Sequence, residues 1–140
     1  MDANRMNLIT QKDAQKDADF QVLTSYLSRV PAVQGPMGSG TFENGNWWVR
    51  FTVDIDHPQA WNVVQELGHV LNYLSLEKRL PTSFQPKSPP PYLNGPARDY
   101  LFWVIESTDP EFTPGNCLKF LAGRLPRPVD DLTQWPDPKV

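Results

Sequence analysis

The chain has 140 residues, 39% hydrophobic and 21% charged, with a formal net charge of −3 and a pI near 5.3. That length suits a single domain spanning 1–140, able to bury roughly two-thirds of its unfolded surface without a disulfide or a metal. The mixed charge excludes compositional disorder, and the mild acidity argues against nucleic acid or an anionic membrane surface as partner.

Cys117 is the only cysteine, so no internal disulfide and no cysteine-based zinc site can form, a pattern that fits a reducing compartment. The first ten residues lack the apolar run of a signal peptide, and no stretch approaches the ~20 apolar residues of a membrane span. The expected location is cytoplasmic.

In chain order, a helix is predicted over 11–29. Thr10 can cap it, with Asp13 in the capping-box position, and Phe20, Leu23, Leu27 and Val30 form its apolar stripe until Pro31 stops it. Residues 34–40 carry Gly35, Pro36, Gly38 and Gly40 and read as a loop. The loop invites comparison with a phosphate-binding loop. It lacks the Gly-Lys-Ser/Thr ending, however, and is followed by a strand, not a helix.

Asn44-Gly45 predicts a hairpin between residues 41–43 and 46–55, on the expectation that both turn residues take positive φ. The second strand alternates. Trp47, Val49, Phe51, Val53 and Ile55 face a core, while Trp48, Arg50, Thr52 and Asp54 face a partly wet side. A helix then follows to about residue 76, with Asp56 as N-cap, Gln59 completing the box and Pro58 in the first turn. Ala60, Val64, Leu67, Leu71 and Leu74 make its stripe, flanked by Trp61, Val70 and Tyr73.

Residues 77–98 form a proline-rich loop, within which Thr82 to Gln85 can pair as a short edge strand. The apolar run 100–105 predicts a strand buried on both faces, sitting centrally beside the Trp47 strand. Thr113-Pro114 opens a last helix by the cap-then-proline rule. Cys117, Leu118, Leu121, Ala122 and Leu125 lie on its inner side, and Pro126 and Pro128 end it. Residues 129–140 are an acidic tail carrying Trp135. The predicted class is α+β: a small, mostly antiparallel sheet of three to four strands packed by helices, in the order α-β-β-α-(loop)-β-α.

Reactive side chains are sparse. Asp54-x-Asp56-His57 ends a hydrophobic strand, where carboxylates often meet a divalent cation. The spacing resembles the Asp-x-Asp of the haloacid-dehalogenase phosphatases, but Pro58 stands where they carry Thr or Val and the chain is short for their doubly wound sheet. The plainer role is a wet-face residue at Asp54 and a helix cap at Asp56. Glu66 and His69 sit at i, i+3, yet di-iron bundles need two such pairs. Cys117 lies at a helix start, where its thiol could be activated, but packing beside Phe112 is the plainer account.

Pro89-Pro90-Pro91-Tyr92 matches the PPxY ligand of WW domains, a short pattern often met by chance, and presents Pro91 and Tyr92 on a rigid segment. In the tail, Asp130 and Asp131 accompany Trp135, which either docks back on the domain or anchors a partner. Trp48, Pro91, Tyr92, Asp130, Asp131 and Trp135 are therefore the candidate partner contacts. No catalytic set and no cofactor are expected, and Asp54 with Asp56 is the alternative metal pair.

A small, acidic α+β chain with exposed aromatics on the Trp47-Trp48 hairpin, the 81–96 loop and the 130–135 tail resembles the immunity proteins that accompany bacterial contact-dependent and type VI toxins. The resemblance implies a cytoplasmic protein, monomer or dimer, that neutralises one cognate toxin by covering its active site with complementary charge. Two other readings stay open: a small enzyme using Asp54 and Asp56 with a divalent cation, and a structural accessory protein.

Overall fold

The computed structural model describes residues 17–73, 79–87 and 102–138. In chain order these form helix α1 (17–28), strands β1 (Val33–Thr41) and β2 (Trp47–Val53), and helix α2 (Ala60–Gly68), which runs into a π-helical turn (His69–Tyr73). Strands β3 (Thr82–Lys87) and β4 (Phe102–Ser107), helix α3 (Pro114–Arg124) and a 3-10 turn (Leu132–Gln134) follow. The four strands are ordered β1-β2-β4-β3 and every pairing is antiparallel. The α+β class, the place of β4 beside β2 and the edge strand at Thr82 are as predicted.

The alternation of β2 decides where the core lies. Trp47, Val49, Phe51 and Val53 are buried, and the register sets Val49 opposite Ile105 and Phe51 opposite Trp103 on the same face. Leu23 and Leu27 of α1, Val63 and Leu67 of α2, and Cys117 and Leu121 of α3 close over that face in one cluster. Each fully buried Leu or Phe contributes about 1.5–3 kcal/mol relative to exposure. Trp47 is held at two polar points. Its N–H donates to Ser107 Oγ at 2.9 Å and its indole Nε1–H to the Phe112 carbonyl at 2.5 Å. Thr113 caps α3 as predicted, accepting from the Asn116 N–H at 3.1 Å, with Pro114 in the first turn.

Several expectations change. Residues 34–40 are not a loop but most of β1, with a bulge between Gln34 and Gly38 that holds Gly35, Pro36 and Met37 and a cis Gly35–Pro36 bond. The glycines belong there because of what lies over them. A Cβ at Gly38 would meet Arg50 Nε at 2.6 Å, and one at Gly40 would meet the Trp48 ring at 2.8 Å.

The hairpin turn also differs, since only Gly45 takes positive φ, at 91°. Its N–H donates to the Phe42 carbonyl at 2.9 Å and the Phe42 N–H donates to the Asn46 carbonyl at 2.7 Å, which makes a type I turn closed by a glycine bulge.

Finally, Asp56 does not cap α2. Its N–H donates to Asp54 Oδ1 at 3.1 Å and the Gln59 N–H to His57 Nδ1 at 3.0 Å, so local side-chain bonds hold the chain in turns until Ala60. Ile55, expected in the core, is exposed as a consequence. The α form also ends earlier than expected, at Gly68. The predicted N-terminal cap at Thr10 and Asp13, the end of the long helix at 74–76 and the segment 88–101 lie outside the described residues.

The π-helical turn has a visible consequence at the β3 edge. Asn72 Oδ1 accepts from the Phe84 N–H at 2.7 Å, its Nδ2 donates to the Phe84 carbonyl at 3.1 Å, and Thr82 Oγ1 donates to the Leu71 carbonyl at 2.6 Å. One carboxamide thus acts as a substitute strand partner for β3. Asn72→Ala leaves both Phe84 backbone groups without that partner and should cost about 1–3 kcal/mol of stability, read as a lower urea midpoint with unchanged slope.

Candidate functional site: the outer face of the sheet

Because the described helices all pack on one face, the even residues of β2 look the other way. Trp48 stands between Gly40 and Glu106 in register, and Arg50 between Gly38 and Val104. Lys87 of β3 pairs in register with Phe102. The small residues on β1 let the two long β2 side chains lie flat over the sheet. Arg50 then reaches two aromatic faces, with its guanidinium carbon 5.8 Å from the Trp48 ring centre and 5.0 Å from that of Phe102. Cation–π contacts of this kind contribute about 0.5–1 kcal/mol each at exposed sites.

The other cation of the face is already matched. Lys87 Nζ donates to Glu106 Oε1 at 2.5 Å, and both side chains keep some exposure. Arg50 makes no ion pair and no hydrogen bond among the described residues. Beside it opens a cleft of about 430 Å³, lined by Gly35, Met37 and Gly38 at the β1 bulge, by Arg50 and Thr52, and by Phe102. The face therefore presents aromatic plates, one pre-positioned guanidinium and an adjacent hollow.

Of the predicted partner contacts, Trp48 is on this face, half-buried. Pro91 and Tyr92 lie outside the described residues. Of the tail contacts, Trp135 is directed inward. Trp135 is 5% exposed within the core cluster and donates from Nε1 to the Val129 carbonyl at 2.9 Å. The next residue is held as well, with the Pro136 carbonyl accepting from Gln59 Nε2 at 3.0 Å and from Asn62 Nδ2 at 3.2 Å. Trp135 thus docks back on the domain, and its ring is spent on the protein's own fold.

Asp131 caps the 3-10 turn, accepting from the Thr133 hydroxyl at 2.6 Å and its N–H at 3.0 Å, and these bonds hold its carboxyl below the usual carboxylate range. That contribution is complete above the unfolded carboxyl's pKa and fades as pH falls through the lowered one. Asp130 meets Arg29 at 3.4 Å, with both side chains about half exposed.

The candidate chemistry does not converge. Among the described residues no group of three or more His, Cys, Asp or Glu side chains is placed to hold a metal ion. Asp54 and His57 are engaged in the turns before α2, and His69 opens the π-helical turn. Phe112 and Cys117 both belong to the packed interior, Phe112 at its margin.

Sequence reasoning set Arg50 on the wet face but did not single it out, and it missed Phe102 and the two glycines. A signal was present in the two-residue spacing of Gly38 and Gly40 and in that of Trp48 and Arg50. Small residues on one strand at the period of large ones on the next mark a close cross-strand fit.

Burial pushes the Cys117 thiol up to about 12. Thiolate is the reactive form, so near pH 8 only about one thiol in ten thousand is ionised. The native protein should therefore leave an aromatic disulfide reagent unreacted over hours and should consume one equivalent on unfolding in urea. Rapid native labelling would contradict this burial.

Compared with known proteins, the chain matches no family model, no curated protein and no solved structure.

Proposed function

We propose that the protein acts by binding another protein through the outer face of its sheet. The observation that carries this is the Trp48–Arg50–Phe102 stack, open beside a cleft among the described residues while the aromatic side chains of the opposite face close the core. Tryptophan and arginine are the residue types most enriched among contacts that dominate binding energy, and here they are adjacent and already ordered. An ordered surface loses little side-chain entropy on binding, which suits a protein whose task is to occupy a partner. In its finer form the partner is a toxin and the chain its stoichiometric inhibitor, as the resemblance to immunity proteins implies.

Affinity isolation of the tagged chain from the cells that make it, run beside a Trp48→Ala/Phe102→Ala variant, tests the reading. The intact face should retain one partner near equal stoichiometry, and the double variant, still unfolding in one cooperative urea transition, should bind it at least about thirtyfold more weakly. Equal retention by both proteins, or no stoichiometric partner, would overturn the proposal. For the finer form, titrating the purified partner with the chain should abolish the partner's toxicity at one equivalent.

A further inference from the structure

We infer that Arg50 is a carboxylate-recognition point, the place where an acidic side chain of the partner enters the cleft beside the β1 bulge. The inference rests on the outer face being a protein-binding surface, and it names the chemistry recognised there.

Three observations lead to it. The first is orientation. Rings on two different strands bracket the guanidinium at 5.8 and 5.0 Å, and Gly38 leaves room for the side chain to lie across β1, since a Cβ there would stand 2.6 Å from Arg50 Nε. A planar fork held in place loses less entropy when it meets a planar, two-oxygen acceptor, which is why arginine suits bidentate carboxylate contacts.

The second is availability. Stacking on ring faces uses the guanidinium's charge but none of its five N–H donors. Among the described residues no acceptor takes them, whereas Lys87 is matched to Glu106 at 2.5 Å and Arg29 to Asp130 at 3.4 Å. The third is access. The guanidinium borders a hollow of about 430 Å³, large enough for a side chain and walled by glycine and Phe102.

Charge selects among anions. Within the four strands, among the described residues, the outer face carries Arg50 and Lys87 against Glu106, two cations and one carboxylate. One unmatched cation suits a monoanion. A phosphate near its dianionic state would need a second open cation, and the face presents a carboxylate on the same strand as Phe102 instead.

Isotope-labelled protein followed by NMR at the Arg50 Nε–H and the Trp48 Nε1–H gives the test, with capped oligoglutamate as the probe and capped oligoserine and inorganic phosphate as controls at matched ionic strength. Oligoglutamate should move both signals saturably by about 10 mM, both controls should leave them in place, and Arg50→Gln should abolish the Trp48 response. An equal response to phosphate, an unchanged response in Arg50→Gln, or no response to oligoglutamate would overturn the inference.

The isolated partner separates this failure from failure of the wider reading. Arg50→Gln, still unfolding in one cooperative urea transition, should weaken its binding by about tenfold or more. Full-strength binding by Arg50→Gln, with binding lost in the Trp48→Ala/Phe102→Ala variant, sinks the carboxylate and leaves the protein-binding face standing. Full-strength binding by both variants sinks the face itself.

Discussion

Successive side chains of a strand leave on opposite faces, and in β2 that constraint assigns Trp47, Val49, Phe51 and Val53 to the interior and Trp48, Arg50 and Thr52 to the outside. A slip of one residue would drive the Arg50 guanidinium into the core and carry Phe51 out to water, so the register must be held firmly. Several independent features hold it. Gly45 closes the hairpin in a conformation that other residues reach with difficulty, Trp47 is tied to Ser107 and Phe112, and Gly38 and Gly40 accept Arg50 and Trp48 only in the observed pairing. The core and the proposed contact surface are therefore two sides of one alternation.

The sheet's two edges are guarded in different ways, and this bears on how the protein can bind. At β3, the Asn72 carboxamide occupies the outward N–H and C=O of Phe84, and Pro86 and Lys87 end the strand with a missing donor and a charge. At β1, the bulge at Gly35 to Met37 breaks the regular ladder and Pro36 offers no N–H. Both are known means of discouraging another chain from adding a strand. With the edges blunted and one face filled by helices, side-chain contact on the other face is the mode of association the described residues favour. On that face the exposed Arg50 stands beside two half-buried rings, Trp48 and Phe102.

Much of this could be read from the residues alone. The β2 alternation, the Leu23 and Leu27 stripe, the Thr113-Pro114 helix start and the central place of β4 all rest on periodicities that local physics enforces. The misreadings share one cause, which is that their meaning depends on a neighbour. Glycines and a proline between 35 and 40 look like loop until Trp48 and Arg50 are seen lying over them. Asp56 looks like a cap until Asp54 takes its N–H. The turn at Asn44-Gly45 looks like a two-residue turn until Phe42 closes around both. Arg50 was legible as a wet-face residue, but its link to Phe102, fifty-two positions on, exists only through the β2–β4 pairing.

Charge gives the face its character against the rest of the molecule. The chain carries −3 overall, whereas the described strand residues of the outer face carry Arg50 and Lys87 against Glu106 alone. An acidic partner would be mildly repelled at long range, but at physiological salt that repulsion is screened beyond about 8 Å. Within that distance the local arrangement decides. A guanidinium is more weakly hydrated than an ammonium, so meeting a carboxylate there costs less dehydration than it would for a lysine. Association on such a face should draw its specificity from contact geometry, with little help from electrostatic steering. A protein built this way discriminates by how slowly the right partner leaves, since an ill-fitting one cannot satisfy Arg50 and fill the hollow at the same time.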